Sequence, residues 1–249
     1  MVKRYSFICA HPDDLEMFSS MFIRLAVKNG HDVEIVAMTK GEWGTMDPRL
    51  KGDKLAAIRV RELARAAQLH GVPAHKIKYL GLIDGDVTLP KALKVLRSYL
   101  QLHKPDVLFV PEYSFSVYVH PDHLNTGKAA CLLLKREFRS PRPLLFTYHS
   151  FKNNSYLPTQ MRATGKALAA HKTQVQVIVY LLPFRYLYDL LNGFFYCRRF
   201  CFMESARRIY FTQKIKISFL DRLFSAAFSL GKFVFKAWSP SDGKKAELS

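Results

Sequence analysis

Between residue 5 and about residue 150 the chain alternates short apolar runs with longer stretches of helical periodicity, a pattern that βα units around a parallel sheet absorb. Tyr5–Ala10, Val33–Met38, Lys76–Leu80, Asp106–Val110 and Leu144–Tyr148 read as strands. Leu15–Asn29, Asp53–His70, Leu89–His103 and Asp122–Phe138 read as helices between them. Gly30 and Gly71 follow the first two, where a left-handed residue closes a helix. Asp53 is placed to cap the second helix, and Pro90 sits in the first turn of the third, where a missing N–H costs nothing. The expected fold class is α/β: a Rossmann-like, mostly parallel sheet flanked by helices.

That order dictates where chemistry can sit. His11-Pro12-Asp13-Asp14 follows the first strand and Gly41-Glu42-Trp43-Gly44-Thr45 the second. Asp84-Gly85-Asp86 follows the third, and Tyr118-Val119-His120-Pro121-Asp122-His123 the fourth. Ligands of open α/β sheets bind at the carboxyl ends of the strands, so four loops converge on one site. The first strand leads into AHPDDLEMFSS, which lacks the glycines that cradle a pyrophosphate; a nicotinamide or flavin enzyme is disfavoured.

Composition narrows the setting. With 38 Lys and Arg against 20 Asp and Glu, the formal charge of +18 attracts nucleic acid, anionic lipid or acidic substrates alike. No helix-turn-helix, zinc-finger or RNP-like signature supports the nucleic-acid reading. Four scattered cysteines do not make a disulfide framework, which suits a reducing compartment. The N-terminus has no signal-peptide apolar region. No apolar run reaches the ~18 residues of a spanning helix, because Pro183, Arg185 and Asp189 interrupt 175–196. A cytoplasmic protein, peripheral on the membrane face, is expected.

Two His-Pro-Asp tripeptides, each beyond a strand and each followed by another potential ligand, suit a catalytic zinc with three protein ligands and an open position. His11, Asp14 and His123 give that count, with Fe²⁺ acceptable to the same donors. The plainer reading is that Asp13 or Asp14 caps a helix and each proline makes a rigid turn.

These residues resemble the PIG-L/LmbE-like metal-dependent de-N-acetylases. Ala10-His11-Pro12-Asp13-Asp14-Leu15-Glu16 is similar to that family's first motif and His120-Pro121-Asp122-His123 to its second. Gly41-Glu42 with Gly44-Thr45, Arg59-x-x-Glu62, Leu80-Gly81 with Asp84, and Lys166 through His171-x-x-Gln174 extend the likeness. The resemblance implies hydrolysis of the N-acetyl group of an N-acetylglucosamine-type amino sugar, lipid-linked or otherwise anionic, by metal-activated water. It implies Asp13 as general base and His120 as oxyanion stabiliser and general acid. Asp122 would hold the His120 ring, and Tyr118 would be a further oxyanion donor or an ordinary packed aromatic. Arg59 and Asp84 match substrate-contacting positions, although Arg59 with Glu62 also fits a solvated helix pair. Glu42 would wall the pocket or serve a turn, and His171 with Gln174 would line the site or end a helix. Met17-Phe18-Ser19-Ser20 departs from the family's usual Gly-Gly pair.

Past residue 172 the chain changes character, with 13 Lys and Arg against 5 Asp and Glu. Over 217–238, Leu220, Leu223, Phe224, Ala227, Leu230, Val234 and Trp238 share one helical face, and Ser218, Arg222, Ser225, Ser229, Lys232 and Lys236 another. Such a basic amphipathic helix lies on an anionic membrane, docks on its own domain, or meets a second subunit in a homo-oligomer. Residues 1–210 are expected to form the deacetylase-like domain and 211–249 the extension. A catalytically silent membrane scaffold is the competing function. Cys197 and Cys201 read as buried thiols on one helix face.

Overall fold

The computed structural model describes residues 1–45, 47–212 and 217–229. In chain order the elements are β1 (Arg4–Cys9), α1 (Asp14–Phe18), α2 (Ser20–Lys28), β2 (Asp32–Thr39), α3 (Asp53–Leu69), β3 (Ile77–Leu82), α4 (Leu89–His103), β4 (Val107–Pro111), α5 (Pro121–Arg136), β5 (Leu144–Tyr148), β6 (Ser155–Pro158), α6 (Met161–Leu168), α7 (Val175–Cys197), β7 (Met203–Ile209) and α8 (Phe219–Ser229). The sheet runs β3-β2-β1-β4-β5-β7-β6. Its first five strands are parallel, and β7 lies antiparallel to both β5 and β6.

Successive strand residues point to opposite faces, so the buried doublets Phe7-Ile8, Ile35-Val36 and Leu108-Phe109 feed two cores. Ile8, Val36 and Leu108 pack with Leu96, Leu100 and Leu133 of α4 and α5. Phe7, Ile35 and Phe109 pack with Leu15, Ile23 and Leu63 on the other face. From β1 the chain winds outward to β2 and β3, then returns to lay β4 on the opposite side of β1. That reversal of strand order is where a crevice opens, directly below the two His-Pro-Asp loops.

Several local expectations change. The single helix over 15–29 is two, broken at Ser19 (φ −139°, ψ 15°). The start of α2 is stabilised from a distance, because Glu204 Oε1 of β7 accepts from Met21 N and Phe22 N at 2.8 and 3.1 Å. Asp53 does not cap α3: Gly52 (φ 85°) does, with Asp53 as the first helical residue. The strand expected over 76–80 runs Ile77–Leu82. β6 and β7 were not foreseen, since MESARRI carries three charges that hide its strand character until Glu204 and Arg207 find buried partners. Residues 175–197 form one continuous helix, α7, through Pro183, while Arg185 and Asp189 break its apolar run as expected. Among the described residues no helix is long and apolar enough to cross a membrane.

Of the 217–238 helix, α8 covers the first part, with Leu223 and Phe224 half-exposed. Leu220, Ala227 and Ser229 as side chains, and Leu230, Lys232, Val234, Lys236 and Trp238 altogether, lie outside the described residues. Cys197 ends α7 while Cys201 lies beyond it, and both are half-buried free thiols rather than core residues of one helix.

Candidate active site

Both His-Pro-Asp loops are held by their own backbones. Asp14 Oδ2 accepts from His11 N at 2.8 Å, closing the first loop as β1 passes into α1. His120 is the N-cap of α5, its Nδ1 accepting from Asp122 N at 3.2 Å. An acceptor at Nδ1 puts the proton of the neutral ring on Nε2.

Three donors face one another at the crevice floor. His11 Nδ1 lies 3.1 Å from His123 Nε2, His123 Nε2 lies 3.3 Å from Asp14 Oδ1, and Asp14 Oδ1 lies 3.9 Å from His11 Nδ1. A tetrahedral ion with bonds of ~2.0–2.1 Å needs donors about 3.3–3.4 Å apart, so this buried triangle fits such a cation. Two other groupings, His11 with His120 and His123, and His11 with Asp84 and Asp122, also bring donor atoms within 4.8 Å of one another. The second grouping engages the far nitrogen: His11 Nε2 lies 3.0 Å from Asp84 Oδ1 and 3.3 Å from Asp122 Oδ2. Those carboxylates orient the ring and turn Nδ1 toward the triangle, as partners of metal-binding histidines do.

His123 has an equivalent partner that the sequence reading missed. His149 Nε2 stands 3.4 Å from His123 Nδ1, and its own Nδ1 is 2.9 Å from Ser116 Oγ. It is fully buried at the carboxyl end of β5, with φ 50°. Its place just after a strand is the same signal that marked the other four loops.

The remaining expected residues are sorted by their contacts. Asp13 sits at the N-cap position of α1 but makes no side-chain cap; its Oδ1 is bound by Arg59 Nη2. Arg59 is buried and also donates from Nη1 to Gly41 O at 3.0 Å. Gly41 (φ 68°) and Gly44 make room, since a Cβ on either would overlap the guanidinium. Arg59 is thus no solvated partner of Glu62, which instead accepts from Thr173 N and Oγ1 at 2.9 and 2.6 Å.

Asp84 spends its carboxylate on His11 and on Trp43 N at 3.0 Å. Both oxygens of Asp122 are engaged away from the His120 ring, Oδ2 by Gly85 N at 2.7 Å and Oδ1 by Val87 N at 3.2 Å. Asp122 meets the His120 ring through its backbone N–H, and its carboxylate charge acts on that ring as well. Glu42 Oε1 accepts from Asp84 N at 3.1 Å, bracing one loop on another rather than walling the pocket. His171 lies away from the pocket lining, with Nε2 3.1 Å from Glu16 Oε2; Gln174 lines the pocket and donates to Gly44 O. Tyr118 lines the pocket with its ring edge-on to His123, centroids 4.8 Å apart. The mouth is otherwise apolar: Met17, Phe18, Trp43, and Val177, Ile178 and Leu181 of α7.

Electrostatics separates the histidines. Burial, then the neighbouring His11 and His123, push His120 down to about 3, so its resting form is neutral. Burial alone would lower His11, but Asp84 and Asp122 outweigh it and hold it well above the ordinary imidazole range. Behind the site, burial would raise Glu16, yet His171 and His70 outweigh it and hold its carboxyl at about 2.

The family model described as PIG-L, GlcNAc-PI de-N-acetylase, matches residues 6–134. Diacetylchitobiose deacetylase of Thermococcus kodakarensis is 30% identical over 51% of this chain and 47% of its own. Mycothiol S-conjugate amidase of Streptomyces coelicolor is 29% identical over 48% and 47%. The chain thus spans about half the length of the curated relatives it matches. Among solved structures, N,N'-diacetylchitobiose deacetylase from Pyrococcus horikoshii aligns with a TM-score of 0.73 and 26% identity, covering 83% of this chain and 84% of that one.

Proposed function

The chain belongs to the PIG-L family, and from that premise we propose that it is a metal-dependent hydrolase removing the acetyl group from an N-acetylglucosamine-type amino sugar. The observation that carries this reading is the buried donor triangle of His11, Asp14 and His123 with Asp13 adjacent to it. A divalent cation held by those three residues supplies Lewis acidity, polarising a carbonyl and lowering the pKa of water from ~15.7 toward ~7. Two imidazoles and a carboxylate accept Zn²⁺ or Fe²⁺, and elemental analysis decides between them.

The chain's own residues do the rest. Asp13, kept aimed by Arg59, receives the proton of the attacking water. His120 donates from Nε2 to the oxyanion that develops on the acetyl carbonyl oxygen as water adds to its carbon, a role its neutral resting ring already fits. The proton that Asp13 takes from the water is the one the leaving amine needs; passed through the His120 ring as the C–N bond breaks, it returns both residues to their resting forms. Tyr118 borders the same space as a second donor. Trp43 and the apolar residues of α7 receive the sugar's faces and whatever it is attached to, a lipid included. We read residues 1–210 as the catalytic domain and 211–249 as an extension that contacts anionic membrane through 217–238.

The test is acetate release from a panel of N-acetylhexosamine glycosides and lipid-linked sugars by the metal-loaded protein. Release that Asp13→Asn abolishes while retaining metal supports the reading. No release from any substrate between acid and alkaline pH overturns it.

A further inference from the structure

Helix α7 is turned inside out. Its two charged residues, Arg185 and Asp189, are buried and paired with each other, and Arg185 Nη2 also reaches Glu204 Oε2 at 3.0 Å. Val175, Val179, Tyr180, Pro183, Phe184, Leu187, Leu191, Phe194 and Phe195 recur at three- and four-residue spacing and therefore share one face. That face points to solvent: Tyr180 is 78% exposed, Phe184 71% and Phe195 67%. At ~1.5 Å per residue, an apolar strip of this length spans about 30 Å, far more than scattered surface leucines explain.

The charges around this strip select its partner. Every exposed charged side chain over residues 160–200 is a cation: Arg162, Lys166, Lys172, Arg198 and Arg199. The one acid in that stretch, Asp189, is buried. A second copy of a chain carrying +18 would bring like charge to the rim of the contact. An anionic bilayer instead takes the apolar face among its acyl chains and the flanking cations at its headgroups, with exposed Tyr180, Tyr196 and Phe200 at the boundary.

We propose that α7 lies flat in the interface of an anionic lipid bilayer, its face from Val175 to Phe195 sunk among the acyl chains. This surface is distinct from the 217–238 segment and does not depend on the hydrolase reading. Val177, Ile178 and Leu181 of the same helix wall the pocket, so docking presents the pocket mouth at the lipid surface.

Flotation of the full-length chain with phosphatidylcholine vesicles, with and without phosphatidylglycerol, tests this directly. The wild type is expected to float with the anionic vesicles and far less with neutral ones. Phe184→Asp with Leu187→Asp should weaken that binding about tenfold or more, while the thermal transition stays that of the wild type. Should the double variant fail to fold, Phe184→Trp replaces it: the emission it adds to that of Trp43 and Trp238 should be quenched by brominated acyl chains. A wild type that stays unbound, because a second copy or residues 230–249 cover the face, overturns the proposal. So does a folded double variant that floats like the wild type, or added emission that brominated chains leave unquenched.

Discussion

Arg59 and Asp13, 46 residues apart in the chain, meet inside the pocket, where one guanidinium nitrogen binds Asp13 Oδ1 and another donates to Gly41 O at 3.0 Å. One planar side chain thereby fixes both the aspartate of the first His-Pro-Asp loop and the glycine turn after β2.

Lysine cannot reproduce that fork, because its ammonium is a point charge without fixed donor geometry. Arg59→Lys is expected to lower kcat roughly 10- to 100-fold, since misplacing a catalytic group by about an ångström costs that much. Steady-state kinetics checks it; an unchanged kcat with only a raised KM would return Arg59 to pure substrate binding.

Removing a donor from the triangle should remove the cation. Asp14→Ala and His123→Ala are expected to lose stoichiometric metal by elemental analysis, whereas Asp13→Asn keeps it. Metal at about 100 times its Kd stabilises the folded state by ~2.7 kcal/mol, so the wild-type Tm should rise on loading and fall with chelator. The two ligand variants should show no such response.

His149 is expected to matter through His123. His149→Asn suits the left-handed backbone at this position and removes the ring behind His123 Nδ1. Metal affinity should fall about 10- to 100-fold in a chelator-competition titration, with the fold retained by circular dichroism.

Glu112 anchors the loop that delivers Tyr118 and His120. Its Oε1 accepts from Tyr113 N and Ser114 N at 3.0 and 2.8 Å, and Arg207 closes on both oxygens at 2.6 and 2.8 Å. Burial alone would raise its carboxyl, but Arg207 outweighs it and holds the group below its ordinary value. A lowered folded-state pKa contributes stability that is present above about pH 4.3 and lost as pH falls through the folded value. The wild-type Tm should therefore drop in acid, and part of that drop should vanish in Glu112→Gln. At neutral pH the same variant should cost about 3–5 kcal/mol, because Arg207 is left buried and unpaired.

The sequence was most legible where local rules dominate. Gly30 (φ 69°) and Gly71 (φ 86°) close their helices as their position requires. Pro90 opens α4, and the five parallel strands stand where alternating apolar runs put them. Local pattern is least informative where long-range pairing decides a residue's surroundings. Arg59, matched to a substrate-contacting position, does line the pocket, but its bond to Asp13 spans 46 residues and has no local signal. β7 has no apolar period because Glu204 and Arg207 are matched only by Arg185 and Glu112. His171, matched by motif, turned out to face Glu16 in the core.

By itself, the chain's order of apolar runs and polar loops determined the α/β class and the end of the sheet where the His-Pro-Asp loops gather, because side-chain period and turn chemistry are properties of neighbours. Tertiary structure alone decided which nitrogen of His11 faces the donor triangle, that His149 stands behind His123, and that α7 carries its charges inward and its aromatics outward. Those depend on which atoms meet across tens of residues of intervening chain, and no local pattern encodes a distance.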